Sequence, residues 1–403
     1  MDLSYGDEYE ALRGELRQFL TRSWPLQGEE AKLGFPEQAA LFRKRATEAG
    51  YLNRSIPKRY GGSEQPADVL TAQVIREEFG RAKAPGEARG IGTMMLVPTL
   101  LERGEEWQKE KWIPGSISGE ITWCQGYSEP GSGSDLASLK TRGELVGDEW
   151  VINGQKIWTS GAQRADFMFC LTRTEPDAPK HAGISYLLID MKQPGVDVRP
   201  LKQMTGGATF NEVFLNDVRA PADWIVGKRG EGWIVSRTTL KHERNSIGAA
   251  TQTSVIFTAL VRLAQRVEKN GAPAIRDPVV RQRLATLEGY VRAHQYSGYY
   301  QLTRDSKGES AGLIPLMNKL IGTTISQEAG KIGYDLVGED ALLAAGERTL
   351  GLMPKGNQGW VAQFMSSLGG SIAGGTANIQ RNIIAERGLG LPRDAAADRS
   401  AGK

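Results

Sequence analysis

The segment Tyr127–Asp135, which reads Tyr-Ser-Glu-Pro-Gly-Ser-Gly-Ser-Asp, predicts a tight turn in the middle of the chain. Pro130 restrains the backbone, and the small residues that follow it, among them Gly133, suit neither a helix interior nor a strand interior. The hydroxyls of Ser128 and Ser134, together with several backbone N–H groups, are hydrogen-bond donors around this turn. Taken alone, a segment of this composition is most often only a surface loop.

A second motif follows at Gly154–Ser160, which reads Gly-Gln-Lys-Ile-Trp-Thr-Ser. Trp158 offers a flat aromatic face, and Thr159 and Ser160 add two hydroxyls beside it. By itself, a tryptophan followed by a threonine is typical of a half-buried strand. Together, the turn donors and the aromatic face suit a large, planar ligand that carries phosphate groups.

Both motifs, in this order and at this spacing, resemble the flavin-binding segments of the acyl-CoA dehydrogenase family. In that family the first segment reads roughly T-E-P-x-x-G-S-D, and the second reads G-x-K-x-W-I-T or W-T-S. Three other segments are also similar to family motifs, and they extend the resemblance over nearly the whole chain. They are Pro57–Gly62 in the first domain, Asn211–Pro221 at the end of the β domain, and Gly375–Arg381, which resembles the closing G-T-x-x-I-Q-R.

Hydrophobic periodicity divides the chain into three parts. Helical spacing extends over residues 7–118 and returns from residue 232 onward, whereas 121–225 contains short alternating runs that indicate an antiparallel β domain. The resemblance implies the same order, so the predicted fold is mainly α with a central β domain: an N-terminal helical domain, a middle antiparallel β barrel and a C-terminal four-helix bundle. The expected boundaries are 1–118, 119–228 and 229–392, with a disordered tail at 393–403.

Composition fits an ordinary enzyme and argues against several other classes. The 403 residues are too many for one simple core, so two or three packed domains are expected. The net charge of +3, with basic and acidic residues interspersed, argues against a nucleic-acid partner. The chain has no run of about 18 apolar residues, so no membrane insertion is expected. Two cysteines outside any C-x-x-C pair suit a reducing, cytoplasmic location, and three dispersed histidines argue against a metal site.

The resemblance implies an enzyme that removes two hydrogens from the Cα–Cβ bond of an acyl-CoA thioester. The weakly acidic α proton requires a positioned base, and the thioester carbonyl requires hydrogen-bond donors. The β hydrogen leaves as a hydride to N5 of the cofactor FAD. The resemblance also implies electron-transfer flavoprotein as the acceptor, and a homodimer, a homotetramer or a heterotetramer with a related chain.

The base is the chief departure from the family pattern. Most members carry a glutamate just before the closing G-T motif, but this chain has Gly374 there, which has no proton-accepting side chain. A minority carries a glutamate followed by an arginine on the first long helix of the C-terminal domain, and Glu243-Arg244 resembles that pair. We therefore predict that Glu243 is the α-proton base; the alternative is a solvated carboxylate that pairs with Arg244. Arg244 is expected to lie beside the substrate as a partner of Glu243; the alternative is that it is a plain surface cation. Gly374 is expected to line the substrate pocket.

The resemblance also assigns a set of residues to the FAD. They are Tyr127, Ser128, Gly133, Ser134, Trp158, Thr159, Ser160, Thr376 and Asn378. Ser160 takes the place of a threonine that donates to flavin N5 in the family, and Tyr127 is expected to contribute through its backbone. Thr376 and Asn378 match positions near the adenine diphosphate.

Two further departures concern the adenine end of the FAD. The R-x-x-F-G motif of the family is absent from 268–278, where Arg276 is a candidate substitute, and Q-x-x-G-G-x-G is eroded at Gln327–Gly333. Such losses fit an altered adenine site, or a mixed tetramer of the type that some branches form for bulky, steroid-derived thioesters. The small residues within 369–374 favour a branched or polycyclic acyl group.

Three alternative functions stay open on the same resemblance. The chain could be a catalytically silent or cofactor-sharing subunit, which Gly374 favours and Glu243 opposes. A nucleic-acid-associated acyl-CoA dehydrogenase-like stress protein is permitted by the slight positive charge, although no basic run supports it. An acyl-CoA oxidase is the third alternative, because oxygen reactivity depends on how dry the pocket is.

Overall fold

The computed structural model describes residues 6–246, 250–310, 312–343, 345 and 354–392, without the side chains of 242–246, 250–251 and 305–306. The predicted tail at 393–403 lies outside the described residues. The chain divides into two compact units: 1–201 with 209–242, called unit 1, and 202–208 with 243–403, called unit 2. The division into three domains stays a prediction.

In the described part of unit 1, five α-helices precede the sheet, as the helical periodicity predicts. They are α1 (Asp7–Ser23), α2 (Phe35–Glu48), α3 (Val69–Arg81), α4 (Val97–Arg103) and α5 (Glu106–Ser118), with a π-helical turn at Gly92–Leu96 before α4. Local capping sets several ends: the Asp68 carboxylate accepts the N–H of Leu70 at the start of α3. Glu105 and Gln108 form a capping box at the start of α5, which ends at the left-handed Gly119.

Helices α1, α2 and α3 enclose an apolar core of their own. Its fully buried members include Leu16 and Leu20 on α1, Phe42 on α2 and Val74 on α3. A second, aromatic-rich core packs α4 and α5 against one face of the sheet, and Trp112 at its centre contacts three other aromatic rings edge-on. Burial of these large rings is the main stabilising contribution here.

The β region forms one seven-stranded sheet. Its strands are β1 (Trp123–Gly126), β2 (Arg142–Val146), β3 (Glu149–Ser160), β4 (Phe167–Arg173), β5 (Ile184–Asp190), β6 (Val196–Leu201) and β7 (Phe210–Pro221). The order is β1-β4-β2-β3-β7-β6, and β5 pairs with β4. The alternating runs within 121–225 thus predicted a β region, and β3 includes the whole of the second motif, Gly154–Ser160.

One part of the antiparallel prediction is wrong. β1 runs parallel to β4, with Trp123 opposite Phe167. β2 also meets β4 in parallel, with Arg142 opposite Arg173. Because parallel neighbours need a long crossover, the chain forms β2 and β3 before it returns to pair with β1. This pairing places the Tyr127–Asp135 turn directly at the end of a buried strand in the sheet.

Unit 2 contains a bundle of α-helices. The described ones are α7 (Ala250–Arg266), α8 (Pro278–Ser306), α9 (Ile314–Val337), α10 (Gly356–Gly370) and the short α11 (Ala377–Ile383), and α6 (Gly232–Ser246) leads into them from unit 1. Helices α7 to α10 share one apolar core. Gly333 allows α9 and α10 to approach, because a Cβ there would lie only 2.2 Å from the ring of Trp360.

No described helix is long and apolar enough to cross a membrane. No cluster of three or more histidine, cysteine, aspartate or glutamate side chains with metal-binding geometry occurs in the described ranges. Cys124 and Cys170 are free thiols in the buried sheet, so burial raises their pKa values.

Candidate functional site

The Tyr127–Asp135 segment forms the tight turn that its composition predicts. The backbone N–H of Glu129 donates to the carbonyl of Ser132 (3.1 Å), and the N–H of Ser132 donates back to the carbonyl of Glu129 (2.9 Å). Pro130 therefore lies at the tip of a two-residue loop. A Cβ placed on Gly133 would meet nothing within 4 Å, so the backbone of the turn can be approached closely from outside.

A buried ion pair joins the two sequence motifs. Lys156, which is fully buried, donates from Nζ to Glu129 Oε1 (2.8 Å) and to the carbonyls of Tyr127 (3.2 Å) and Leu171 (2.8 Å). Glu129 also accepts the backbone N–H groups of Lys140 (2.6 Å) and Thr141 (2.9 Å). All donors of the ammonium are thereby used, which is the condition for burying such a charge.

Burial on its own raises the pKa of the Glu129 carboxyl. The charge and hydrogen bond of Lys156, with further bonds from Thr141 and the Lys140 backbone, outweigh that effect, so this pKa lies below its ordinary value. The ion pair was missed from the sequence, although both charged residues belong to the motifs that were recognised. The sequence feature that could have revealed it is the presence of E in the first family motif and of K in the second, at the positions of Glu129 and Lys156.

Trp158 is the most exposed residue of the second motif. Its side chain is 59% exposed, its backbone has a left-handed φ of +60°, and its ring meets that of Phe210 edge-on, with centroids 6.1 Å apart. The next residue, Thr159, is buried, and its hydroxyl has no hydrogen-bond partner among the described residues. Ser160 is half-buried. The indole therefore presents an open aromatic face beside a serine hydroxyl.

The remaining residues of the first motif differ in exposure. The ring of Tyr127 is buried against Phe169 and Tyr186, so the side chain belongs to the core. The contribution of its backbone to cofactor binding stays a prediction. Ser128 is half-buried and Ser134 is exposed. The hydrogen bonds that stabilise the turn are made by backbone groups and by the Glu129 carboxylate. The hydroxyls of Ser128 and Ser134 do not form these bonds.

The end of the turn is fixed by the loop between β4 and β5. Lys180 pairs with Asp135 (2.6 Å), and Ser138 Oγ donates to the same carboxylate. The hydrogen bond and charge of Lys180 hold the pKa of Asp135 below its usual range. Arg173 donates to the carbonyls of Ala137 (2.6 Å) and Lys180 (2.7 Å), which fixes the backbone that follows the turn.

In unit 2 the predicted residues cluster at the glycine-rich segment between α10 and α11. Thr376 is the N-cap of α11, and its hydroxyl accepts the N–H of Ile379 (3.2 Å). The exposed Asn378 accepts a hydrogen bond from Arg381 (3.2 Å). Gly374 has a left-handed φ of +62°. A glutamate in that slot would be strained, because only glycine adopts this conformation without cost.

A second buried lysine holds this segment. Lys319 of α9 is 2% exposed and donates to the carbonyls of Gly370 (3.0 Å) and Gly375 (2.9 Å). Burial lowers the pKa of its ammonium. Gln380 also donates to the carbonyl of Gly374 (3.3 Å), so the segment is fixed by side chains from two helices.

Glu243 and Arg244 lie on α6, but their side chains are outside the described residues. The preceding turn of α6 is fixed in unit 1, where Thr239 Oγ1 lies 2.9 Å from Thr99 Oγ1 and 3.4 Å from the hydroxyl of Tyr186. Burial raises the pKa of Tyr186 well above its usual value. The helix that carries Glu243 therefore starts from a buried, hydrogen-bonded anchor.

Three family models match the chain in series and together span most of it. They describe the acyl-CoA dehydrogenase N-terminal domain at 6–120, the middle domain at 124–218 and the C-terminal domain at 230–389. The acyl-CoA dehydrogenase IpdE1 of Mycobacterium tuberculosis is 37% identical over 96% of this chain and 99% of its own. The chain is a member of the acyl-CoA dehydrogenase family. It is accordingly an oxidoreductase of the flavin-dependent acyl-CoA dehydrogenase class, as the sequence predicted.

Solved structures of family members share the fold. The Tcur3481-Tcur3483 steroid acyl-CoA dehydrogenase matches with a TM-score of 0.76 at 30% identity, over 98% of this chain and 100% of that one. The ChsE4-ChsE5 complex from Mycobacterium tuberculosis matches with a TM-score of 0.75 at 29% identity, over 98% and 100%. The predicted fold, in which helical regions precede and follow a β region along the chain, is thus confirmed.

The residues of unit 1 fit the flavin that this family uses. Trp158 supplies an exposed aromatic face, Ser134 supplies an exposed hydroxyl, and Ser128 and Ser160 are half-buried serines. The open surroundings of Gly133 permit a phosphate group or a ring edge to approach the backbone. In unit 2, Thr376 and Asn378 offer polar groups of the kind that bind a diphosphate.

Proposed function

We propose that this family member is an FAD-dependent dehydrogenase that converts an acyl-CoA thioester to the 2-enoyl-CoA, with Glu243 as the base. The observation that carries the proposal is the pairing of the Tyr127–Asp135 turn with the Trp158 segment through the buried Glu129–Lys156 contact. That contact holds an open indole and a donor-rich turn in one rigid arrangement. A flavin needs a flat apolar face and polar groups at its ring edge, and both are supplied.

The flavin, when bound, supplies the hydride acceptor. The chain's own residues then divide the remaining work. Trp158 would cover the cofactor ring, Ser160 would donate a hydrogen bond to N5, and Ser128 and Ser134 would bind its other polar groups. Tyr127 and Gly133 would contribute backbone groups, and Thr159, which is buried and lies between Trp158 and Ser160 in the chain, belongs to the same cofactor-binding segment.

The proton is handled by a different part of the chain. Glu243, on α6, accepts the α proton of the thioester, and Arg244 supports that carboxylate or the substrate. Gly374 cannot take this part, because glycine has no proton-accepting side chain, and we assign it to the lining of the substrate pocket. Thr376 and Asn378 contact the adenine diphosphate.

We further propose a bulky, branched or steroid-derived acyl group. A Cβ on Gly369 would have open space around it, and one on Gly370 would lie 3.6 Å from Thr323, so this segment leaves room. Relatives described as steroid enzymes support the same class. Electron-transfer flavoprotein is the proposed acceptor, a homo-oligomer or heterotetramer the proposed assembly, and the cytoplasm the proposed location.

The test uses the purified chain and a panel of acyl-CoA thioesters that includes straight-chain and steroid side-chain substrates. We expect bound FAD whose absorbance is bleached by substrate under anaerobic conditions. Glu243→Gln should keep the FAD and lose the bleaching, because the amide cannot accept the proton. Bleaching at the wild-type rate in that variant would show that Glu243 is not the base.

A cofactor-sharing subunit of a mixed assembly is the second candidate. Gly374 and the departures at the adenine end favour it, and one similar solved structure is described as a complex of two different proteins. The two candidates differ in one measurement. A self-sufficient enzyme binds FAD and is bleached alone, whereas a cofactor-sharing subunit needs co-expression with a related chain for either property.

A further inference from the structure

The pairing of β3 with β7 is interrupted at two points. The first interruption lies between Ile152 and Gly154, and the second between Lys156 and Thr159. Such irregularities insert residues into one strand and redirect the side chains there. The second interruption is the one that turns Trp158 outward, so whatever stabilises it also sets the orientation of the indole and the position of Ser160.

The backbone at the second interruption is strained. Trp158 has a φ of +60°, a conformation that is costly for a non-glycine residue and worse for a bulky one. Its side chain is mostly exposed, so the free energy gained by burying the indole in unit 1 does not offset the backbone strain. Strain of this kind persists only where surrounding contacts over-determine the conformation.

The contacts come from Asn211 and its two neighbours on β7. Asn211 is fully buried, and its Nδ2 donates to the carbonyl of Thr159 (2.9 Å) and to Gln163 Oε1 (2.8 Å). The preceding Phe210 packs edge-on against Trp158. The carbonyl of Thr209 accepts the N–H of Gly161 (3.1 Å). Residues 209–211 therefore contact the segment 158–161 at three points: the ring of Trp158, the carbonyl of Thr159 and the N–H of Gly161.

We propose that Asn211 is a positioning residue for the flavin-facing segment at 158–161. Its carboxamide bridges Thr159 on the strained strand and Gln163 in the following turn, and it thereby fixes Trp158 and Ser160 in the orientation that a flavin requires. A leucine of similar volume fills the site but donates to neither acceptor, which leaves a buried carbonyl unsatisfied. The proposal rests on the proposed function, because it concerns the geometry offered to the FAD.

The first interruption provides a matched control on the same pair of strands. There Asp217 has the left-handed backbone, with φ +51°, and an asparagine on the opposite strand, Asn153, supports it. Asn153 Nδ2 donates to Asp217 Oδ1 (2.9 Å), and Asn153 Oδ1 accepts the N–H of Asp217 (2.9 Å). Both sites thus combine an irregularity, a strained residue and an asparagine, but only the second contains residues assigned to the FAD.

The experiment compares Asn211→Leu with Asn153→Leu in the full-length chain. Urea unfolding gives the stability of each variant. Hydrogen exchange of the apoprotein reports on peptides that span 157–162, and titration with FAD gives Kd and the visible circular dichroism of the bound flavin. We expect Asn211→Leu to raise the Kd for FAD by about tenfold or more, to change the flavin dichroism and to speed exchange at 157–162. Asn153→Leu should leave all three within about twofold of wild type, whatever its unfolding midpoint.

Equal Kd, dichroism and exchange in Asn211→Leu and wild type would overturn the proposal, even if the unfolding midpoint fell. Equal perturbation of FAD binding by both variants would also overturn it, since it would indicate a general loss of stability. If Asn211→Leu does not fold, Asn211→Ala, which removes the carboxamide without adding volume, is judged by the same criteria. If wild type binds no FAD, the proposed function fails, whereas the exchange comparison still tests the positioning by Asn211.

Discussion

Two buried lysines each hold a segment proposed to bind the FAD, and they differ in how their charge is balanced. Lys156 is fully buried and donates to the carboxylate of Glu129 as well as to two carbonyls. Lys319 is almost as buried, but it donates to the carbonyls of Gly370 and Gly375. Among the described side chains no carboxylate lies within ion-pair distance of Lys319.

This difference determines which buried groups lose their partner when each lysine is replaced. Without Lys156, a buried carboxylate loses its counter-charge, which is among the most destabilising changes in a protein interior. Without Lys319, only carbonyl dipoles lose a donor, and an ammonium that was costly to bury disappears with it. Equal burial therefore does not mean equal contribution to stability; the charge state of the partner determines the size of the effect.

The largest effect is expected for Lys156→Met. The substitution keeps the volume of the side chain but leaves Glu129 charged and buried, so the free energy of unfolding should fall by about 3–5 kcal/mol. Equilibrium urea unfolding at neutral pH measures this fall. Because the carboxylate also accepts two backbone N–H groups at 2.6 and 2.9 Å, the turn should loosen together with the ion pair and FAD binding should be lost.

The double variant Lys156→Met/Glu129→Gln separates charge from packing. It removes the uncompensated carboxylate while it keeps a hydrogen-bond acceptor for the turn, so a substantial part of the lost stability should return. If the double variant were as unstable as the sum of the two single variants, the two residues would not be coupled. That outcome would remove the distinction between the two lysines.

A smaller effect is expected for Lys319→Met. The carbonyls of Gly370 and Gly375 lose their donor, which should lower the free energy of unfolding by about 1–3 kcal/mol. Lys331→Met is the matched control on the same helix, since Lys331 is half exposed and, within the described ranges, forms its ion pair with Glu328, one turn away. The control should stay within about 0.5 kcal/mol of wild type. A loss for Lys319→Met as large as that for Lys156→Met would indicate an acidic partner and contradict the comparison.

The sequence predicted those features that depend on neighbouring residues. The turn follows from Pro130 and the small residues after it, and the helices of 7–118 follow from the helical spacing of apolar residues. The parallel pairing of β1 with β4 was not predicted, because alternation within a strand contains no information on the direction of its partner. The Glu129–Lys156 ion pair was missed for a related reason: its partners come from two motifs that only the fold brings together.

Backbone strain at the site was equally invisible in the sequence. Trp158 was recognised as an aromatic face, but its left-handed φ and the support from Asn211 depend on the register between β3 and β7. Gly374 was recognised as the loss of a carboxylate, whereas the structure adds that the backbone there is left-handed. Residue identity shows which groups are present; the conformation that they require comes from tertiary pairing.

The smallest effect is expected at the glycine segment that Lys319 holds. Gly374→Ala places a Cβ on a backbone with φ +62°, so the free energy of unfolding should fall by about 1–2 kcal/mol. Gly369→Ala is the control within the same segment, because it lies in α10 with nothing within 4 Å of a new Cβ. Alanine is the better helix former there, so this variant should gain up to about 1 kcal/mol.

The two alanine variants should therefore change stability in opposite directions, as measured by their urea midpoints. Loss of stability in both would mean that the segment is crowded, rather than strained at one residue. If Gly374→Ala left the free energy of unfolding unchanged, the segment that Lys319 holds would not require glycine at position 374. The glycine at 374 would then reflect only the absence of the family's glutamate, and a glutamate restored there would be tolerated by the backbone.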